Sequence, residues 1–178
     1  KSFINTDRKI PIVESLEIAV EKKSTVLILG IAPSGGKIPK EWNFIIEKAL
    51  KNGLSIINGL HELLFPRWKD LIKKNINQWI WDVRMPTFVP DIATGKASKL
   101  KNKRILFIGT DMAVGKMTAA LEIYSFLNQK RKSVGFVATG QIGITLTGKG
   151  IPLDAFKVDH ACGAVETAVL ENSKKEIV

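Results

Sequence analysis

Short β-branched runs alternate with segments of helical period along the chain, and this alternation constrains the fold more than any other feature. A helix between two such runs brings successive strands side by side in parallel, so the chain reads as α/β with mainly parallel sheet. Residues 14–23 put Leu16, Ala19 and Val20 on one helical face, and 25–31 form a strand. Residues 39–51 are predicted helical, with Trp42, Ile45, Ile46, Ala49 and Leu50 at three-to-four spacing. Pro39 suits the first turn of that helix, where its missing N–H would have gone unpaired. Asn52-Gly53 ends the helix, 54–57 is the next strand, 66–76 a helix through Trp68, Leu71, Ile72 and Ile76, and 78–83 a further strand.

The pattern dissolves over 86–103, where Pro86, Pro90, Gly95 and a run of lysines read as a linker between a unit of residues 1–85 and a second of 104–178. In the second unit, 105–108 is a strand and 115–130 a helix with Met117, Ala120, Leu121, Tyr124 and Leu127 on one side. Residues 134–138 follow as a strand, 140–150 as a glycine-rich loop, 163–170 as a helix and 176–178 as the start of one more strand.

Composition narrows the class. A chain of 178 residues, 45% hydrophobic and 25% charged, suits a soluble globular protein of one fair-sized domain or two small ones. The longest strongly apolar run, 26–32, is too short for a bilayer. The chain opens on Lys1 with no signal-peptide pattern, so a piece of a longer polypeptide is expected. One cysteine, Cys162, leaves no internal disulfide framework and suits a cytoplasmic setting; a small, partly buried side chain is its plain reading. The formal charge of +10 is scattered over Lys22-Lys23, Lys73-Lys74, 96–104, 130–132 and Lys174-Lys175. Without an aromatic-basic stripe, it favours anionic ligands in general over nucleic acid.

The stretch that carries chemistry is 104–118. An apolar strand runs into a turn bounded by Gly109 and Gly115, and Lys116 opens a helix. Backbone N–H groups in such a turn point at an anion, and the helix N-terminus adds its positive dipole end. The cofactor-binding set is therefore Gly109, Thr110, Asp111, Met112, Ala113, Val114, Gly115, Lys116, Met117 and Thr118. Lys116 can reach phosphate oxygens as a point charge. Two departures from the usual phosphate loop stand out. Five residues separate the glycines, and Met117 stands where a metal-binding Ser or Thr belongs. Thr118 is turned about 100° further round the helix. Residues 30–37 share the glycine spacing, but Pro33 removes a donor and Pro39 starts the helix beyond Lys37, so a strand-to-helix turn is expected there.

The loop resembles Gly-Thr-Asp-x-x-Val-Gly-Lys-Thr of dethiobiotin synthetase-like enzymes. Five motifs, at 30–36 with Glu41-Trp42, 59–64, 109–118, 137–144 and 158–166, together resemble a wider family. It is the two-domain bacterial and archaeal family described as D-glutamate N-acetyltransferase-like, and the likeness covers nearly the whole chain. The resemblance implies a Rossmann-like N-terminal domain followed by a P-loop NTPase-like domain, both incomplete in this chain. Members run longer at both ends: the first strand–helix unit, and an acidic glycine-rich loop just after Val178, are implied to be missing. It further implies acetyl transfer from acetyl-CoA to the amino group of D-glutamate, a step in amino-acid metabolism. A P-loop can hold the pyrophosphate of coenzyme A as it holds that of ATP.

Acetyl transfer needs a base for the ammonium proton and donors for the thioester oxyanion. The catalytic candidates are Asp159, His160 and Asp111, and the substrate contacts expected at the end of a strand are Thr139, Gly140 and Gln141. His160 has a suitable ordinary pKa. Alternatively, Asp159-His160 is a surface or capping pair and Asp111 stiffens the turn; His61 either faces the domain cleft or merely begins the helix after Gly59. Glu166 reads as solvated, and Trp42, Trp68, Trp79 and Trp81 as packing. No metal ligand set is expected. The partners expected are a small-molecule cofactor and an amino-acid substrate, with no nucleic acid and no membrane; a homo-oligomer stays open. Two alternatives compete: an ATP- and Mg²⁺-dependent ligase like dethiobiotin synthetase, and a non-catalytic nucleotide-binding module.

Overall fold

The computed structural model describes residues 10–31, 33–111 and 113–178. They divide into two compact units, one of 11–85 and one built on 86–178.

In the first unit, Ser15 caps helix α1 (Leu16–Glu21), its side chain accepting from the Ile18 N–H at 3.4 Å. Strands β1 (Val26–Leu29), β2 (Ser55–Asn58) and β3 (Ile80–Asp82) form a parallel sheet in the order β1-β2-β3. Its register pairs Leu27 with Ile56 and Ile56 with Ile80. Helix α2 (Trp42–Lys51) crosses between β1 and β2, and its buried face of Ile46, Ala49 and Leu50 packs on Ile56, Leu64, Trp68 and Ile80. Each large side chain buried there contributes about 1.5–3 kcal/mol. Gly53, at φ 85°, ends α2 by donating to Leu50 O at 3.0 Å.

The helix expected over 66–76 is broken. Helix α3 covers only Phe65–Trp68, and single 3₁₀ turns follow at Lys69–Leu71 and Lys74–Ile76. Ile72 leaves the helical region at ψ 123°, and Lys73 N–H donates instead to Gln78 Oε1 at 2.8 Å. Buried Gln78 also donates to Leu50 O and Leu54 O, so its amide replaces a helical turn with tertiary bonds. Among the tryptophans Trp68 is buried and Trp42 packs on the core, whereas Trp79 is 41% exposed.

The second unit contains helices α4 (Lys116–Gln129), α5 (Gln141–Thr147) and α6 (Val158–Glu171). The expected glycine-rich loop over 140–150 is mostly α5: Gly140 precedes its first turn and Gly148, at φ 69°, closes it. Helix α6 starts five residues before the expected 163, because Lys157 O already accepts from the His160 N–H. The strand expected at 105–108 carries no bridge, and that at 134–138 only the isolated parallel bridges Val134↔Ile177 and Ala138↔Gly150, with Lys103↔Ile177 just ahead of the first. A small core joins Ile151, Ala164 and Ala168 with Phe88, Val137, Leu153 and Phe156. Phe88 and Phe156 stack at 5.7 Å.

Candidate functional site

The phosphate-loop sequence folds as a turn into a helix. Gly115 takes φ 93° and Ala113 φ 56°, left-handed angles that turn the chain sharply before α4 begins at Lys116. The lysine stem then crosses back over the loop. A Cβ at Gly109 would lie 2.8 Å from Lys116 Cδ and 2.8 Å from Val114 Cγ2, and Lys116 Nζ donates to the carbonyl of Asp111. The lysine thus spans the mouth of its own turn, with its ammonium on a backbone oxygen that a phosphate oxygen could replace. Gly109, Thr110, Asp111, Ala113, Val114 and Gly115 are exposed. Met112, part of the expected set, lies outside the described residues.

A cavity of about 760 Å³ is lined by Ala113 to Thr118 and by Thr139, Gly140 and Gln141. The structure therefore brings the lysine and the expected substrate contacts to one opening. Asp111, Asp159 and His160 do not line it. Thr139 is exposed, and its carbonyl accepts from the Leu153 N–H at 3.2 Å. Met117 is 39% exposed and its sulfur is turned towards Gly143 of α5, so the side chain after the lysine offers an apolar surface.

The 158–166 motif does something the sequence did not disclose: it clasps the linker. His160 Nδ1 lies 2.8 Å from Pro90 O, and since a carbonyl only accepts, Nδ1 carries the hydrogen. A Cβ at Gly163 would overlap Asp91 O. Glu166, expected to be solvated, accepts from Thr94 N–H at 2.5 Å, Thr94 Oγ1 at 3.1 Å and Ala97 N–H at 3.0 Å. The backbone N–H groups of Ala97 and Thr94 hold its carboxyl below the usual glutamate range. Positions 160, 163 and 166 share one face of α6 at i, i+3, i+6 spacing, a signal the sequence held. The segment read as a free linker is therefore anchored on the second unit. Cys162, on another side of α6, is exposed rather than partly buried.

In the first unit the 30–37 and 59–64 motifs meet at the carboxyl edge of the sheet. Gly36 O accepts from the His61 N–H at 3.2 Å, and a Cβ at Gly36 would overlap the His61 ring. Ile38 N–H donates to Glu62 Oε2 at 3.1 Å. Beneath them buried Asp82 accepts from Asn58 Nδ2 at 2.7 Å, Leu64 N–H at 2.9 Å and Phe65 N–H at 2.8 Å. Sequence reading missed this pair, because nothing local marks two strand-end polar residues 24 positions apart as partners.

Family models match the two halves: a Rossmann-like N-terminal domain at residues 1–86 and a P-loop domain at 91–178, both described as domains of unknown function of DUF1611. The chain belongs to the DUF1611 family. Its fold is accordingly a Rossmann-like unit plus a P-loop unit, mixed α/β with a parallel three-stranded sheet. A crystal structure of a DUF1611 family protein from Anabaena variabilis matches with a TM-score of 0.87 at 42% identity, over 96% of this chain and 50% of that one. Two curated relatives are named D-glutamate N-acetyltransferase. The one from Pseudoalteromonas is 38% identical over 84% of this chain and 45% of its own length. The one from Tritonibacter scottomollicae is 38% identical over 89% and 47%. The chain spans about half the length of the curated relatives it matches. Among the described residues no helix is long and apolar enough to cross a membrane.

Proposed function

We propose that the full-length protein is an N-acetyltransferase that moves acetyl from acetyl-CoA to the amino group of D-glutamate or a similar acidic amino acid. The observation that carries this reading is the loop: Lys116 lies over Gly109 onto a backbone carbonyl, and Met117 replaces the hydroxyl that a Mg²⁺-nucleotide site uses. Such a cradle suits a pyrophosphate held by backbone N–H groups and one ammonium. The names of the two relatives at 38% identity support the same reaction.

When bound, the thioester supplies the acyl donor. In this reading the N–H groups of the 109–115 turn and Lys116 hold the pyrophosphate, while Thr139, Gly140 and Gln141 take the amino acid at the shared opening. Asp111, Asp159 and His160 carry groups of the type that accepts the ammonium proton, although none of them lines the opening. His160 donates through Nδ1 to Pro90 O, which leaves Nε2 as the ring nitrogen that could take a proton. The cytoplasmic setting rests on the single cysteine, and no part of the reading uses nucleic acid.

Calorimetric titration of the full-length protein with acetyl-CoA, and separately with ATP plus Mg²⁺, tests it. Binding of acetyl-CoA followed by N-acetylation of D-glutamate is the expected result. The five-residue glycine spacing favours a second reading, the dethiobiotin synthetase-like ligase, and binding of ATP-Mg²⁺ alone would move the protein there. A ligand that binds with no turnover of any acyl donor would leave only a nucleotide-binding module.

A further inference from the structure

The first turn of α4 bears on which kind of anion the phosphate loop can take. In loops of this type a divalent cation sits against the phosphates, and the protein oxygen that holds it is the hydroxyl directly after the lysine. Here that position is Met117. Its sulfur lies 3.9 Å from a Cβ placed on Gly143, and that Cβ would also stand 2.9 Å from Ala138 Cβ, so α5 is packed close at this point. The Met117 side chain therefore spans from the first turn of α4 to buried Gly143. The part of it that stays exposed lines the opening as apolar surface. Mg²⁺ demands oxygen ligands at about 2.0–2.1 Å in octahedral array, and a soft thioether supplies none. Thr118 also lines the opening, but it is turned about 100° further round the helix.

Charge points the same way. Among the described residues that line the opening none is Asp or Glu, and the two charged ones, Arg104 and Lys116, are cations. Arg104 is directed to Leu100 O and Asn102 Oδ1. Among the described residues no group of three or more His, Cys, Asp or Glu could hold a metal ion. At the loop itself the positive charge is one ammonium plus a helix N-terminus, together about 1.5 elementary charges. That approaches the charge of about −2 on a diphosphate diester. It falls well short of the charge of about −4 on a nucleoside triphosphate, which a divalent cation ordinarily helps to neutralise.

We propose that Met117 makes this phosphate loop metal-independent and selects a diphosphate diester over a Mg²⁺-bound nucleoside triphosphate. The inference rests on the reading of the loop as the coenzyme A site and adds the residue that sets its selectivity. Met117 acts by filling the place of the cation with sulfur and methyl against Gly143, so that Lys116 and the backbone N–H groups carry the anion alone.

Titration of the full-length protein with acetyl-CoA and with ATP, each in EDTA and in excess Mg²⁺, tests it. Acetyl-CoA should bind with the same affinity in both buffers, within about twofold, and ATP at least about tenfold more weakly in both. Met117→Thr restores the hydroxyl, and its ATP affinity should rise at least about tenfold when Mg²⁺ replaces EDTA. Native protein that binds acetyl-CoA only with Mg²⁺ overturns the inference and leaves the coenzyme A reading standing. Native protein whose ATP affinity rises with Mg²⁺ overturns it too, and loss of that rise in Thr118→Val would assign the metal to the neighbouring hydroxyl. An ATP affinity of folded Met117→Thr that ignores Mg²⁺ also overturns it, because a residue other than Met117 would then exclude the cation. Absence of acetyl-CoA binding in both buffers sinks the coenzyme A reading and the inference with it. The native titrations decide even if the variant fails to fold.

Discussion

The two units carry similar strand-and-helix sequences but reach different degrees of closure. In the first, β1, β2 and β3 pair along their lengths, and Ile46, Leu50, Ile56 and Leu64 are fully buried. In the second, the equivalent runs meet only at single bridges, and Leu106 and Ile108 face outward. Hydrophobicity does not separate them. Contact range does: successive strands neighbour one another in the first unit, whereas in the second 103–105 and 133–135 are held apart by 176–178.

The sharpest way to break the comparison is to strike each unit at its best-packed point. Leu50→Ala should destabilise the first unit by about 3–4 kcal/mol, seen as a lower urea midpoint for its transition, since a fully buried leucine leaves a cavity. Gly163→Val should cost the second unit about 3 kcal/mol, because the side chain displaces the Asp91 backbone, and should leave the first unit's hydrogen-exchange protection intact. Lys116→Ala should weaken acetyl-CoA binding more than tenfold, over ~1.4 kcal/mol, in calorimetry of the full-length protein. Unchanged affinity in the folded variant would remove the phosphate-loop reading.

Glu166→Gln probes the linker clasp through pH. Because the folded carboxyl titrates below its unfolded value, its stabilisation is fully present above the ordinary glutamate range and is lost as pH falls through the lowered folded value. The thermal midpoint of the native protein should therefore exceed that of Glu166→Gln at neutral pH, and the gap should close from about pH 4.3 downward. A gap independent of pH would mean the carboxylate contributes by shape alone. The smallest effect sharpens the comparison: Leu106→Ala should change the stability of the 178-residue chain by less than about 0.5 kcal/mol, as for an exposed site.

Much of this was legible in advance wherever the signal is local. The period of 42–51 announced α2 because its apolar stripe and the Asn52-Gly53 stop lie within one segment. The 109–118 turn was legible because its glycines, lysine and following helix are contiguous. The 66–76 stretch kept a helical period and still lost its helix, since Gln78 offered its backbone better partners from elsewhere in the fold. Glu166 and His160 take partners from the linker some 70 residues away, contacts that no local pattern along α6 announces.

By itself the sequence determined the alternating α/β order, the turn that presents Lys116 and the family likeness. Each of these is written in residues close together along the chain. Only the tertiary structure decided that Asn58 meets Asp82, that α6 grips residues 90–97, and that Lys116 and Thr139 share an opening. Such pairings depend on long-range packing and on the burial of polar groups that must find partners wherever the fold provides them. No spacing rule along the chain encodes that choice.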